Sequence, residues 1–373
     1  MHFVDLAKQY KTIQQEIHSA IDRVFQNGVY IGGAEVEACE REMANFLHVK
    51  HALSVNSGTD ALFLALKALE IGAGDEVITT PFTFIATAEV IANIGAKPVF
   101  VDIDPHSFNI DPKKIEEKIT KKTKAIMPVH LFGQASAMGE IIKIAKQHLL
   151  FVIEDACQAI GAEYKGKKLG AIGDIGCFSF FPAKNLGTYG DGGLVVTNNA
   201  HLAEKLVLLR NHGSSEKEKY RHLILGTNSR LDAIHAAILR VKLKFLNRWN
   251  AKRIEHAKKY TKILSLVPEI ILPVTLRHFN GKNFSHVFNQ YTIRVKRRDA
   301  LRKYLADAGI PTMVYYPLPL HLQPAFSYLK HKKGDFPESE HTVREVLSFS
   351  IYPELSLKEQ RSIIQNIKKF FAK

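Results

Sequence analysis

The chain of 373 residues carries 51 Lys and Arg against 37 Asp and Glu, a formal charge of +14, with 46% hydrophobic and 24% charged residues. This composition excludes a disordered or low-complexity chain, and the length suits two domains or one large domain with an appendage. The basic balance leaves three partner classes open: nucleic acid, an anionic membrane, or a phosphorylated small molecule.

The opening stretch MHFVDLAKQYKTIQ has no basic start followed by an apolar core, so no secretory signal is expected there. No apolar run approaches the ~18–20 residues of a membrane span, and even Leu149–Ile153 breaks at Glu154. Cys39, Cys157 and Cys177 form no CxxC pair. The expectation is therefore a cytoplasmic protein with neither a disulfide scaffold nor a metal site.

From residue 50 to about 200, short apolar runs alternate with helical patterns. Strands are expected at Ala52–Val55, Glu76–Thr80, Pro98–Asp102, Lys124–His130, Leu150–Glu154, Gly176–Phe180 and Gly193–Thr197, with helices such as Ala61–Leu69 and Met138–His148 between them. Continuous runs such as PVFV and LFVI suit strands buried on both faces. The expected class is α/β, a mostly parallel seven-stranded sheet flanked by helices. A long basic helix follows from about Ala233 to Leu264. The remainder reads as a smaller α+β domain: a strand at Gln290–Val295, a helix at Asp299–Ala308, a strand at Thr312–Tyr316 and a helix from Thr342. A last helix opens at a capping box, Ser356 with Glu359. The expected division is 1–248 and 249–373.

Three constellations carry chemistry. Asn56-Ser57-Gly58-Thr59 ends a strand and opens a helix, whose free amides and hydroxyls suit a phosphate; taken singly, it is also an ordinary helix cap. Glu154-Asp155 closes the most apolar strand, where a charge needs a partner such as a protonated ring nitrogen, or else caps the next turn. Lys184 lies between an aromatic-rich run and the glycine-rich Gly187–Gly193. Desolvation there would free its amine for Schiff-base chemistry; the alternative is a solvated surface lysine.

Together, a phosphate cradle, a buried acid and a desolvated lysine on one parallel sheet describe pyridoxal phosphate binding. The segments SGTDAL, GDEVITTPFTFIATA, PVHLFGQ, IEDACQAIGA, FSFFPAKNLGTYGDGG and GTNSRLDAIHAAIL follow in an order that resembles the DegT/DnrJ/StrS sugar-nucleotide aminotransferases. That resemblance implies the aspartate-aminotransferase-like fold (fold type I). It also implies Lys184 as the lysine that carries the cofactor and moves the proton, and Asp155 as the acid on the pyridine nitrogen. Gln158 matches the contact to the ring hydroxyl, Phe84 the stacking aromatic, and Gly58, Thr59 and Ser179 the phosphate contacts. Asn228 matches an asparagine reaching the phosphate of a neighbouring subunit, which implies a homodimer with shared active sites.

By the same resemblance, L-glutamate donates the amino group to a nucleotide-linked keto-hexose. The tail around Tyr315-Tyr316-Pro317 and His321 looks like that of the subgroup aminating C3. Both UDP-linked 3-keto N-acetylhexosamines or uronates and dTDP-3-keto-6-deoxyhexoses suit it, and a 4-keto sugar is the alternative. Arg230, Tyr30, Tyr316 and His321 are the candidate sugar contacts, with Arg230 alternatively a structural ion pair. A rival class is a basic regulatory or nucleic-acid-binding protein, resting on the Lys/Arg run at 240–259. That run sits on a helix whose other face is apolar and shows no base-reading motif, so the expectation is a solvated or dimer-flanking helix face and no nucleic-acid or membrane partner.

Overall fold

The computed structural model describes residues 1–215, 220–274 and 286–372. Seven strands make the large sheet: β1 (His51–Val55), β2 (Glu76–Thr79), β3 (Lys97–Phe100), β4 (Thr123–Ile126), β5 (Phe151–Asp155), β6 (Ile175–Ser179) and β7 (Gly193–Thr197). Their order across the sheet is β1-β7-β6-β5-β4-β2-β3, and β7 alone runs against the others.

Alternation along the strands explains why both faces are covered. Leu53, Val77, Ala125, Ile153, Cys177 and Val195 share one buried cluster with helices α4 (Gly58–Ala68), α5 (Ala86–Asn93) and α7 (Ala200–Arg210). Their neighbours Ala52, Phe178, Leu194 and Val196 face α2 (Gln14–Asn27), α3 (Gly33–Leu47) and α8 (Ala233–Leu264), while Ile78, Ile126 and Val152 face α6 (Met138–Gln147). A period of two with apolar residues on both faces gives the continuous apolar runs seen in the sequence. No helix among the described residues is long and apolar enough to cross a membrane.

A second, antiparallel sheet has the order β8-β9-β11-β10, formed by β8 (Ile270–Ile271), β9 (Tyr291–Val295), β10 (Thr312–Met313) and β11 (Val346–Phe349). Helices α9 (Arg298–Asp307) and α11 (Leu357–Phe371) pack on it. The capping box is present: Ser356 Oγ accepts from the Glu359 amide at 3.2 Å while the Glu359 carboxylate accepts from the Ser356 amide at 2.9 Å. Two expectations need correction. No helix starts at Thr342: α10 (Pro337–Glu345) is already ending, and Val346–Phe349 is the strand between β9 and β10. Pro337 suits a first helical turn, and the buried Val346 and Leu347 pair with β9 while Ser348 and Phe349 pair with both β9 and β10, which overrides the helical spacing of that stretch. The expected strand Thr312–Tyr316 stops at Met313, and the next three residues turn into a cleft.

Part of the basic run on α8 serves the interior, while Lys244, Arg248, Lys252 and Lys258 are exposed. Arg240 meets Glu35 at 2.6 Å and Glu42 at 2.7 Å, both on α3. Arg253 is buried and donates to the carbonyls of Phe288 and Ile351 at 3.2 and 2.6 Å. Burial lowers Arg253 to about 10 and Lys242 to about 8. These contacts correct the expectation that the whole run is a solvated or dimer-flanking face.

His286 gives the fold an acid sensitivity. It stacks on Phe288 with centroids 3.8 Å apart, and burial lowers its pKa from 6.5 to about 3. The unfolded chain therefore takes up this proton below about pH 6.5, whereas the folded chain waits until about pH 3. The corresponding stability is complete above 6.5 and is lost as pH falls through that window, at up to about 1.4 kcal/mol per pH unit. Chemical denaturation of His286→Gln at a series of pH values should show a shallower fall than wild type; equal slopes would refute the assignment.

Candidate active site

The ends of β1, β5 and β6 open into a cleft of about 630 Å³, a size that suits a cofactor together with a small substrate. At the end of β1, Ser57 caps α4 by accepting from the Asp60 amide at 3.0 Å. The cap leaves the Gly58 and Thr59 amides in the first helical turn without intrahelical acceptors, beside partial positive charge. Gly58 is required for closeness: a Cβ there would sit 2.6 Å from Ser179 Cβ and 3.0 Å from Cys157 Sγ. Ser179 ends β6 and lines the same corner.

Asp155, the last residue of β5, is buried. Its Oδ2 accepts from Thr87 Oγ1 at 2.8 Å and its Oδ1 from the Cys157 amide at 3.2 Å. The neighbouring Glu154 is wholly internal. It accepts from His130 Nε2 at 2.9 Å and from the amides of Gly170, Ile172 and Gly173 at 2.8, 2.7 and 2.7 Å, with His130 Nδ1 taken up by the Ser136 amide. Of the two acids, Glu154 is consumed by structure and Asp155 is the one lining the cleft.

Lys184 enters from the turn after β6. Burial lowers its pKa, opposed by the neighbouring Cys157 and Asp155. Gln158 receives the Phe132 amide on Oε1 at 2.7 Å and donates from Nε2 to the Tyr316 hydroxyl at 3.1 Å, whose own pKa burial pushes up. Phe84 leaves 54% of its surface exposed at the cleft, its ring 6.2 Å from that of Tyr316.

The cleft thus gathers Gly58, Thr59, Phe84, Asp155, Gln158, Ser179, Lys184 and Tyr316 from the sequence-derived candidates. The remaining candidates lie elsewhere. Arg230 donates to Asn211 Oδ1 at 3.0 Å and keeps a buried Nε with no partner among the described residues. It lines an adjoining concavity of about 330 Å³ with Asn56, Asp232 and His235, which shares Ser57 and Asp191 with the cleft. Asn228 is exposed beside Asn211. Tyr30 is exposed, its carbonyl accepting from the Ala233 amide at 2.9 Å. His321 is buried away from the cleft, 3.1 Å from Glu340 and packed on Phe336. Sequence reasoning missed Thr83, Thr87, Asp191 and Asn289 in the lining. Thr87 had a local signal, lying one helical turn beyond Phe84, whereas Asn289 had none.

A desolvated lysine, a buried carboxylate and a capped helix end around one cleft, on a sheet with a single reversed strand, define an aminotransferase of fold type I. The chain belongs to the DegT/DnrJ/EryC1/StrS aminotransferase family, whose model matches residues 11–368. It is 50% identical to a protein of Geobacillus stearothermophilus named pleiotropic regulatory protein, over 99% of this chain and 98% of that one. It is 44% identical to the UDP-N-acetyl-3-dehydro-alpha-D-glucosamine 3-aminotransferase of Acidithiobacillus ferrooxidans, over 98% and 96%. With the dTDP-3-amino-3,4,6-trideoxy-alpha-D-glucose transaminase of Streptomyces venezuelae the identity is 42%, over 99% and 95%. The crystal structure of S. venezuelae DesV in complex with a ketimine intermediate superposes with a TM-score of 0.96 at 42% identity, covering all of this chain and 98% of that one. Aminotransferases of this family depend on pyridoxal phosphate.

Proposed function

We propose that this aminotransferase binds pyridoxal phosphate and moves an amino group from L-glutamate to C3 of a nucleotide-linked keto-hexose. The acceptor would be a UDP-linked 3-keto N-acetylhexosamine or its uronate, or a dTDP-3-keto-6-deoxyhexose. The observation carrying this reading is the convergence of Lys184, Asp155 and the α4 amides in one cleft. The names of the UDP- and dTDP-sugar relatives support amination at C3 and leave both nucleotides in play.

The residues fit the cofactor. Its phosphate would take the Gly58 and Thr59 amides and the hydroxyls of Thr59 and Ser179, in a corner that admits no Cβ at Gly58. Phe84 would cover one ring face, Gln158 would meet the ring hydroxyl, and Asp155 would hold the ring nitrogen's proton. When bound, pyridoxal phosphate supplies an electron sink for the carbon bearing the amino group. The protein supplies the proton movement. Burial favours the neutral amine of Lys184, which can take a proton from the donor carbon and return one to the sugar carbon. Phe84, Phe181 and Tyr316 line the cleft around that amine. Asn228 is assigned to the phosphate of a second subunit, which makes the working unit a homodimer, and Arg230 to the sugar from the adjoining concavity. Tyr316 borders the sugar side. Residues 1–248 form the cofactor-binding unit and 249–373 the smaller one in this reading.

Purified protein supplied with L-glutamate and enzymatically generated UDP- and dTDP-linked 3-keto sugars should release 2-oxoglutarate with at least one of them. Release with 4-keto sugars alone would overturn the C3 assignment, and release with neither would overturn the substrate class. In the same protein, Gly58→Ala should weaken pyridoxal phosphate binding at least about tenfold, roughly 1.4 kcal/mol, in a fluorescence titration. Unchanged affinity would remove the phosphate from this corner.

A further inference from the structure

The segment carrying Lys184 leaves the sheet at Ser179 and rejoins it at Gly193, and α8 fastens it twice. Lys242, fully buried on α8, donates to the Gly187 carbonyl and lies 4.5 Å over the Tyr189 ring. The second fastening is at Asn185, the residue after Lys184, which is 3% exposed. Its Nδ2 donates to Asn250 Oδ1 on α8 at 2.8 Å and to the Val287 carbonyl at 2.9 Å, and its Oδ1 accepts from Asn289 Nδ2 at 3.1 Å. Asn250 in turn donates to the Ile160 carbonyl at 3.1 Å, which settles which of its amide atoms faces Asn185.

Three stretches of chain remote in sequence thus meet at one carboxamide: the lysine's turn, the long helix, and the segment leading into β9. Asn289 belongs to the cleft lining, whereas Asn185 and Asn250 do not. A buried polar group deprived of its partner is costly, so these bonds hold or fail together.

We propose that Asn185 is a positioning residue that sets where the Lys184 amine stands against the cleft wall, by tying the lysine's turn to α8 and to Val287–Asn289. This inference rests on the role given above to Lys184. Asn185 acts through its neighbour: the direction of the Lys184 side chain follows the orientation of the adjoining peptide, and a shift of about 1 Å at a reacting group costs on the order of 100-fold in rate.

The test compares Asn185→Ala and Asn250→Ser with the wild type, all as full-length protein. Asn185→Ala should lower kcat about 10- to 100-fold while KM for L-glutamate changes less than about threefold. The pH midpoint of the near-ultraviolet cofactor band should move in the same variant. With or without pyridoxal phosphate, hydrogen exchange should quicken in peptides covering 182–192 and 286–290 and stay unchanged in β2 and β3. Asn250→Ser should give the same pattern with a smaller loss, and it decides the matter if Asn185→Ala does not fold. An unchanged kcat and band midpoint would overturn the proposal, as would faster exchange throughout the sheet with activity tracking the folded fraction. A cofactor band that survives Lys184→Ala would instead overturn the reading beneath it.

Discussion

Lys184→Ala is expected to lower turnover by at least about 10⁴-fold and to abolish the near-ultraviolet band that forms when pyridoxal phosphate is added. Two functions of one amine are lost together. It is the only amine among the described residues lining the cleft, so no described neighbour could take over the covalent attachment or the proton transfer proposed for it. Burial lowers its pKa, so a useful fraction of neutral amine exists near neutrality, and arginine, with a far higher pKa, is no substitute. Lys184→Arg should therefore be as inactive as Lys184→Ala. A small primary amine such as methylamine, added to Lys184→Ala, should restore part of the proton transfer by occupying the vacated space. Turnover of Lys184→Ala within tenfold of wild type would end the assignment, and so would a variant protein that keeps the band.

Asp155→Asn should retain the fold and still lose about 10³-fold in turnover, near 4 kcal/mol of transition-state stabilisation. The amide is close in shape to the carboxylate and can still accept from Thr87 at its one oxygen, giving up only the acceptor of the Cys157 amide, so packing is largely kept while the negative charge is removed. In the proposed arrangement, loss of that charge would leave the ring nitrogen's proton without its partner, and the cofactor would become a weaker electron sink. Asp155→Ala should lose as much activity and stability as well, because the Thr87 hydroxyl and the Cys157 amide are both left without their acceptor. Each such loss costs on the order of 1–3 kcal/mol in a buried setting. The two variants thus separate charge from architecture: similar activities with different melting temperatures fit this account. An active Asp155→Asn would move the role to another group.

The regulatory alternative loses its footing in the same details. Its support was the Lys/Arg run on α8, yet Arg240, Lys242 and Arg253 spend their charge on α3, on the lysine's turn and on the carbonyls of Phe288 and Ile351. Those three charges are not available to nucleic acid, and the relative bearing a regulatory name is 50% identical over 99% of a chain whose own match is to an aminotransferase family.

Local patterns carried much of this protein by themselves. Two-sided apolar runs mark several strands of the large sheet, because a strand buried on both faces has no polar side to show. The capping box of α11 is a contact between residues three apart and needs no partner beyond its own helix. Lys184, Asp155 and Gly58 could be singled out because each stands at a strand end or helix start, where local chain chemistry is distinctive. The tertiary structure alone decided the rest. Only it could separate Glu154, satisfied by four internal donors, from Asp155, turned into the cleft. Only it made Val346–Phe349 a strand, since its partners lie more than 30 residues away in the chain. Only it placed His321 and Tyr30 outside the lining of the cleft and brought in Asn289 and, behind Lys184, Asn185. Periodicity records which side of an element is buried, but not what lies across from it; that is set by contacts between residues far apart in sequence.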